Sequence, residues 1–256
     1  MFTKNNYNYL NVFKMKKLLL FTIICFMVLP THVKAQNDGA IAGAVAGGLL
    51  AIGAGIAAVK QMEEQAELKA TQYILANHPE LSSFSLKTLD FDGKKLKDMS
   101  AVSVISYTIQ EFTPEDKPVL DGKKQVLFAF TSQGWINQSG INFDKITWYL
   151  IDSDEWMRMM VAYVKVSSVE KDEGTLESTL NAGRVVNKGV KIKSKLVIPF
   201  FKLHGDMYVV TDYSEEMKLV YNERSLGIFL KATKDLVQMG RGDLIKIHEF
   251  LFAEED

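Results

Sequence analysis

The hydrophobic period of this 256-residue chain changes once, near residue 80, and that change sets its fold class. Before it, apolar side chains recur every three or four residues. Ile41, Val45, Leu49, Ile52, Ile56 and Val59 form one helical stripe, and Met62, Ala66, Ala70 and Tyr73 continue a helical pattern. Asn77-His78-Pro79 ends it, because the residue before a proline avoids the α region. From Ser82 onward the period is two. Strands are predicted at 84–91, 102–112, 125–131, 145–151, 159–167, 190–201, 207–213, 218–221, 225–231, 236–239 and 244–252. Asp92-Gly93, Asp121-Gly122, His204-Gly205-Asp206 and Gly240-Arg241-Gly242-Asp243 read as turns between them. One further short helix is predicted at 175–186. Strands this close, with no helix between most of them, pair antiparallel. The expected class is α+β: a long helix over about 40–76, then an antiparallel β-rich domain over 82–256 built as a curved sheet, open barrel or sandwich.

Residues 39–59 contain no charge and six glycines. Gly39, Gly43, Gly47, Ala51 and Gly55 recur at steps of four, which lets a second helix approach closely. Each interior glycine costs roughly 1 kcal/mol against alanine, so an isolated soluble helix here is unfavourable. A flexible linker would carry serine and charge, and this run carries neither. Packing against a membrane or a second copy of the chain is the leading expectation, with burial against the chain's own β domain as the competitor. The run resembles the glycine-zipper segments of bacterial envelope proteins, in which small residues recur at every fourth position. That resemblance implies an envelope location and helix packing. Lipidated members of the group carry a cysteine at the mature start, whereas the start expected here is Gln36-Asn37-Asp38, so the resemblance implies no lipid anchor. It covers residues 39–59 and does not extend into residues 60–256. Residues 60–81 follow as polar helix formers and read as a solvated connector.

Residues 1–35 have the layout of an export signal. Lys14, Lys16 and Lys17 precede an apolar stretch over 18–29, Pro30 breaks it, and Val33-Lys34-Ala35 suits a cut before Gln36. Met15 offers an alternative start. Cutting there takes away five basic residues (Lys4, Lys14, Lys16, Lys17, Lys34) and no acidic ones from a chain with 30 basic and 31 acidic residues, leaving a net charge near −6. Such a chain is a poor nucleic-acid partner. Its single cysteine, Cys25, lies in the apolar stretch, so the mature chain is expected to have neither disulfide nor thiol nucleophile. Periplasm or outer membrane of a Gram-negative-type bacterium is the expected location. An uncut signal paired with the glycine run, with Lys16, Lys17 and Lys60 inside, would instead give an inner-membrane anchor.

No catalytic motif appears. His78, His204 and His248 are not at metal-ligand spacing, no Gly-x-Ser-x-Gly elbow is present, and no phosphate loop follows the glycines. No cofactor or metal is expected. Asp152-Ser153-Asp154-Glu155 reads as a solvated connection between strands rather than a calcium loop, and Asp90-Phe91-Asp92-Gly93 as a hairpin. Lys191, Lys193 and Lys195 alternate with Val190, Ile192, Ser194 and Leu196, with Lys188 just before them. On a single strand these lysines would share one face, either an anionic-surface contact or a guarded sheet edge. Trp135, Trp148, Tyr149, Trp156, Phe200, Phe201, Phe250 and Phe252 either fill the core or line a calyx for an apolar ligand. Arg241-Gly242-Asp243 is read as a turn with no binding role. The expected function is a non-enzymatic envelope protein that associates with membrane or with itself through 39–59, its β domain binding a protein or lipid partner. A tethered binding domain for an apolar ligand is the alternative.

Overall fold

A computed structural model describes residues 52–89, 102–137, 140–201, 208–222 and 225–252. The first element is helix α1 (Ile52–Asn77), which stops ahead of Pro79. The start expected near residue 40 and the small residues Gly39, Gly43, Gly47 and Ala51 lie outside the described residues. Strands β1 (Phe84–Thr88), β2 (Ser103–Glu111), β3 (Lys124–Thr131) and β6 (Ile146–Asp152) form an antiparallel sheet in that order. A two-stranded ribbon, β4 (Ile136–Asn137) and β5 (Gly140–Ile141), is inserted before β6.

Register gives this sheet two distinct faces. Tyr107 pairs with Leu127 and Leu127 with Leu150, while one residue along Thr108 pairs with Val126 and Val126 with Ile151. The first set, with Ile105, Ile109 and Ala129, packs under α1 against Met62, Ala70 and Ile74. The second, with Val104, Phe128 and Phe130, joins a larger core on the opposite side. Strand β3 is therefore covered on both faces, which explains why Val126-Leu127-Phe128-Ala129-Phe130 is continuously apolar rather than alternating.

Residues 60–81 are thus not a solvated connector. Met62, Ala66, Ala70 and Ile74, each four apart, are all nearly inaccessible to solvent. The small Ala66 and Ala70 bring the helix close to the sheet, and Glu67 accepts hydrogen bonds from the backbone N–H and the hydroxyl of Thr88, fastening α1 to the end of β1. The polar composition of this stretch belongs to the helix's other faces.

After β6 come helix α2 (Ser153–Ser167) and helix α3 (Glu173–Ala182), then a three-stranded sheet of β7 (Arg184–Val186), β8 (Gly189–Ile192) and β9 (Lys195–Pro199). A second four-stranded antiparallel sheet follows in sequence order: β10 (Val209–Asp212), β11 (Met217–Tyr221), β12 (Ser225–Leu230) and β13 (Leu236–Gly240). Helix α4 (Arg241–Phe252) comes last. Helix α2 touches β6 and β11, and α4 touches β3 and β13, so both helices bridge the two large sheets. The domain is neither an open barrel nor a sandwich of bare sheets.

Two segments read as strands, 159–167 and 244–252, are helices. Over nine residues an apolar-rich segment matches both periods, and packing chooses between them. In α2 the buried residues are Trp156, Met157, Met159, Met160, Tyr163 and Val164. In α4 they are Leu244, Ile247, His248 and Leu251, at steps of three, one and three, which puts them on one helical face. Gly240-Arg241-Gly242-Asp243 is accordingly the end of β13 and the first turn of α4 rather than a hairpin turn. The helix expected over 175–186 ends at Ala182, and its last residues form β7.

The stretch read as one strand over 190–201 is a hairpin. It turns at Lys193-Ser194, with Lys193 at φ 53°, and a bulge follows Val190. Gly189 sets its base at φ 146°, where a β-carbon would stand 2.0 Å from the Ile198 carbonyl oxygen. Among the described residues no helix is long and apolar enough to cross a membrane.

Candidate binding groove

A concavity of about 1040 Å³ lies along the outer side of α2, between that helix, α3, β10 and the end of α4. Its construction begins at the acidic cluster 152–155, which is a helix start and not a strand connection. Asp152 accepts from the Glu155 backbone N–H at 3.0 Å and so caps α2. That hydrogen bond, ahead of the nearby Lys123, holds the Asp152 carboxyl below its ordinary pKa. Asp172 caps α3 in the same way, accepting from the Thr175 N–H at 2.9 Å and from its hydroxyl at 2.6 Å.

Once α2 is a helix, the positions between its buried residues must face outward. The half-buried Val161, Ala162 and Val166 give the groove an apolar floor, joined by an edge of the core residue Met157, by Val209 on β10 and by Phe252 at the end of α4. Val209 and Thr211, two apart on β10, share the wall. Charged groups form the rim, and most are paired. Lys165 Nζ lies 2.7 Å from Glu173 Oε1. Arg158 is bonded to Glu155 Oε2. Asp212 is 3.1 Å from Lys231 and 3.6 Å from Lys218, and hydrogen bonding to Lys231 chiefly lowers its pKa. Tyr213 Oη donates to Glu155 Oε1 at 2.7 Å, and burial together with that carboxylate pushes the phenol well above its usual range. Lys171 donates to the Lys165 and Ser168 carbonyls at the end of α2 and stands over the Phe201 ring. An apolar trough between balanced charges accommodates an elongated apolar or amphipathic molecule.

Of the residues picked out from the sequence, Asp154 of the acidic cluster and Phe252 line this groove and the other described ones do not. Gly55 is within α1, where the described backbone is helical. Lys188 lies in the β7–β8 turn, Lys191 is half-buried on β8, Lys193 occupies the hairpin turn and Lys195 opens β9. Lys191 pairs with Leu196 and Ile192 with Lys195, so Lys191 and Lys195 project to opposite faces and the single-faced lysine stripe does not exist. Trp135 and Trp156 sit in the two cores, Trp148 stacks on Tyr73 with centroids 5.3 Å apart, and of the aromatic residues considered for a calyx Phe252 alone reaches the groove.

His248 is buried, with Nε2 3.3 Å from the Leu180 carbonyl oxygen. His78 Nδ1 is 3.2 Å from Glu80. His204 lies outside the described residues. Arg241 is structural: it donates to Tyr163 Oη at 3.1 Å and to the Asn187 carbonyl at 2.5 Å, and stacks over Phe200. Sequence reading missed the groove because it missed α2. The signal was present: Asp152 followed by Glu155 three residues on, then apolar residues at 156, 159, 160, 163 and 164.

No protein-family model, no curated protein and no solved structure matches this chain.

Proposed function

We propose that this is a non-enzymatic envelope protein whose glycine-rich segment 39–59 packs against a membrane or a second copy, holding a partner-binding α+β domain at that surface. The observation that carries the reading is the mechanical continuity of α1. The helix runs unbroken from Ile52, within the glycine-rich segment, to Asn77, and its later turns are buried under the first sheet at Met62, Ala66, Ala70 and Ile74. Whatever residues 52–59 dock against is coupled to the domain through a continuous helix. Export through residues 1–35, to periplasm or outer membrane, belongs to the same proposal; retention at the inner membrane is its alternative.

Fractionating cells into soluble, inner-membrane and outer-membrane pools, with sequencing of the mature amino terminus, tests the location. The variant Gly43→Leu, Gly47→Leu tests the packing. Crosslinked oligomers are expected to shrink in that variant, and an unchanged ladder would refute the zipper.

The groove favours a second reading, a site for an apolar or amphipathic ligand, because its floor is apolar while its rim charges are mostly neutralised in pairs. Extraction of the purified full chain, followed by mass spectrometry, is expected to yield a bound lipid. The variant Val161→Glu, which charges the floor, is expected to lose it.

A further inference from the structure

We propose that the end of the β8–β9 hairpin docks the domain onto an anionic lipid surface. Three observations converge there. The first is charge segregation. From residue 178 to residue 201 the chain carries five basic residues (Arg184, Lys188, Lys191, Lys193, Lys195) and not one acidic residue, although the chain as a whole has more acidic than basic residues. The second is pairing. Arg184 is bound to Glu249 at 2.7 Å, whereas the four lysines form no ion pair among the described residues. The third is apolar exposure at the same place. Leu196 and Val197, next in sequence to Lys195, are 37% and 42% exposed.

The geometry explains how these features act together. Because Lys191 and Lys195 leave the hairpin on opposite faces and Lys193 sits in its turn, the positive charge surrounds the tip. The exposed Val197 falls at the bulge, with Val190 paired to Ile198 and Lys191 to Leu196 on either side of it. The hairpin therefore approaches a surface end-on. A soluble polyanion would satisfy the lysines and leave Leu196 and Val197 in water. A bilayer surface takes both, since headgroup phosphates meet the ammonium groups and the apolar side chains enter the boundary with the acyl chains. At the base of the hairpin Gly189 pairs with Pro199 and Val190 with Ile198, so the tip extends from paired strands. This surface is separate from segment 39–59 and stands or falls without it.

Sedimentation of the full chain with vesicles tests it, using phosphatidylcholine alone and phosphatidylcholine mixed with phosphatidylglycerol. Tighter binding to the anionic vesicles, weakened by salt, is expected. The variant Lys191→Gln, Lys193→Gln, Lys195→Gln should bind them about a hundredfold less tightly, roughly fivefold per lysine, with its thermal midpoint unchanged because these side chains form no ion pair among the described residues. Leu196→Ser, Val197→Ser should also weaken vesicle binding while leaving any binding to heparin intact. Equal affinity of the wild-type chain for both vesicle types, or of the triple variant and the wild type for anionic vesicles, would overturn the proposal. A serine variant that binds vesicles like wild type would overturn it too, leaving a purely electrostatic contact. Gly43→Leu, Gly47→Leu is expected to keep the anionic preference, which separates a failure of this surface from a failure of the zipper.

Discussion

The two faces of the first sheet are covered in different ways. Under α1 the covering layer is one helix, whose contact stripe includes two alanines, resting on Ile105, Tyr107, Ile109 and Leu127. On the other face, Phe128 and Phe130 meet Trp156, the methionines of α2, helix α4 and the second sheet in a core drawn from most of the chain. One face is closed mainly by α1 with the insertion around Trp135 and Phe143, and the other by elements up to about a hundred residues away. The α1 face should therefore be the weaker of the two, and the glycine-rich segment is joined to the weaker side.

The sharpest way to break that contrast is to empty each core in turn. Phe128→Ala should cost about 4 kcal/mol of unfolding free energy in urea titration, because the aromatic cluster around it cannot collapse into the space left. Ile74→Ala should cost about 3 kcal/mol. If the single-helix face opens independently, amide exchange in α1 and β1 should quicken in Ile74→Ala while β12 stays protected. Uniform quickening would show one cooperative unit. For the same reason a fragment over 82–256 should expose Ile105, Tyr107 and Ile109 and aggregate.

Smaller effects separate the contributors on the far side. Asp152→Ala removes the α2 cap and should cost about 1 kcal/mol, read by thermal unfolding. His248, buried in α4, has its pKa lowered from the ordinary 6.5, chiefly by burial. The fold thus favours the neutral ring, and the unfolded chain takes up the proton first. The stability from His248 is complete above about pH 6.5 and declines as pH falls from there toward the depressed folded value. His248→Gln should flatten the acid side of the stability-pH curve, and an unchanged slope would remove His248 from the account.

Much of the first sheet was legible in the sequence. β2, β3 and β6 lie within a residue or so of the expected strands, because their Val, Ile, Phe and Tyr runs are bounded by turn residues and their partners are near in sequence. The hairpin was half legible: the strand character of 190–201 was visible, but a Lys-Ser pair does not announce a turn as Asn-Gly or Asp-Gly does. The groove was invisible as a site, since its floor comes from the outer face of a helix misread as a strand and from β10, more than forty residues later.

Local chemistry by itself determined where α1 stops, the antiparallel pairing of closely spaced strands and the segregation of positive charge in 178–201. These depend on neighbours along the chain: a proline, a short loop, a missing carboxylate. Tertiary structure alone decided that 244–252 are helical, that the polar-looking stretch after Lys60 is half core, and that Lys191, Lys193 and Lys195 surround a tip instead of lining a face. Each of those outcomes depends on which apolar surface lies opposite, and a short segment compatible with two periods contains no record of its distant partner.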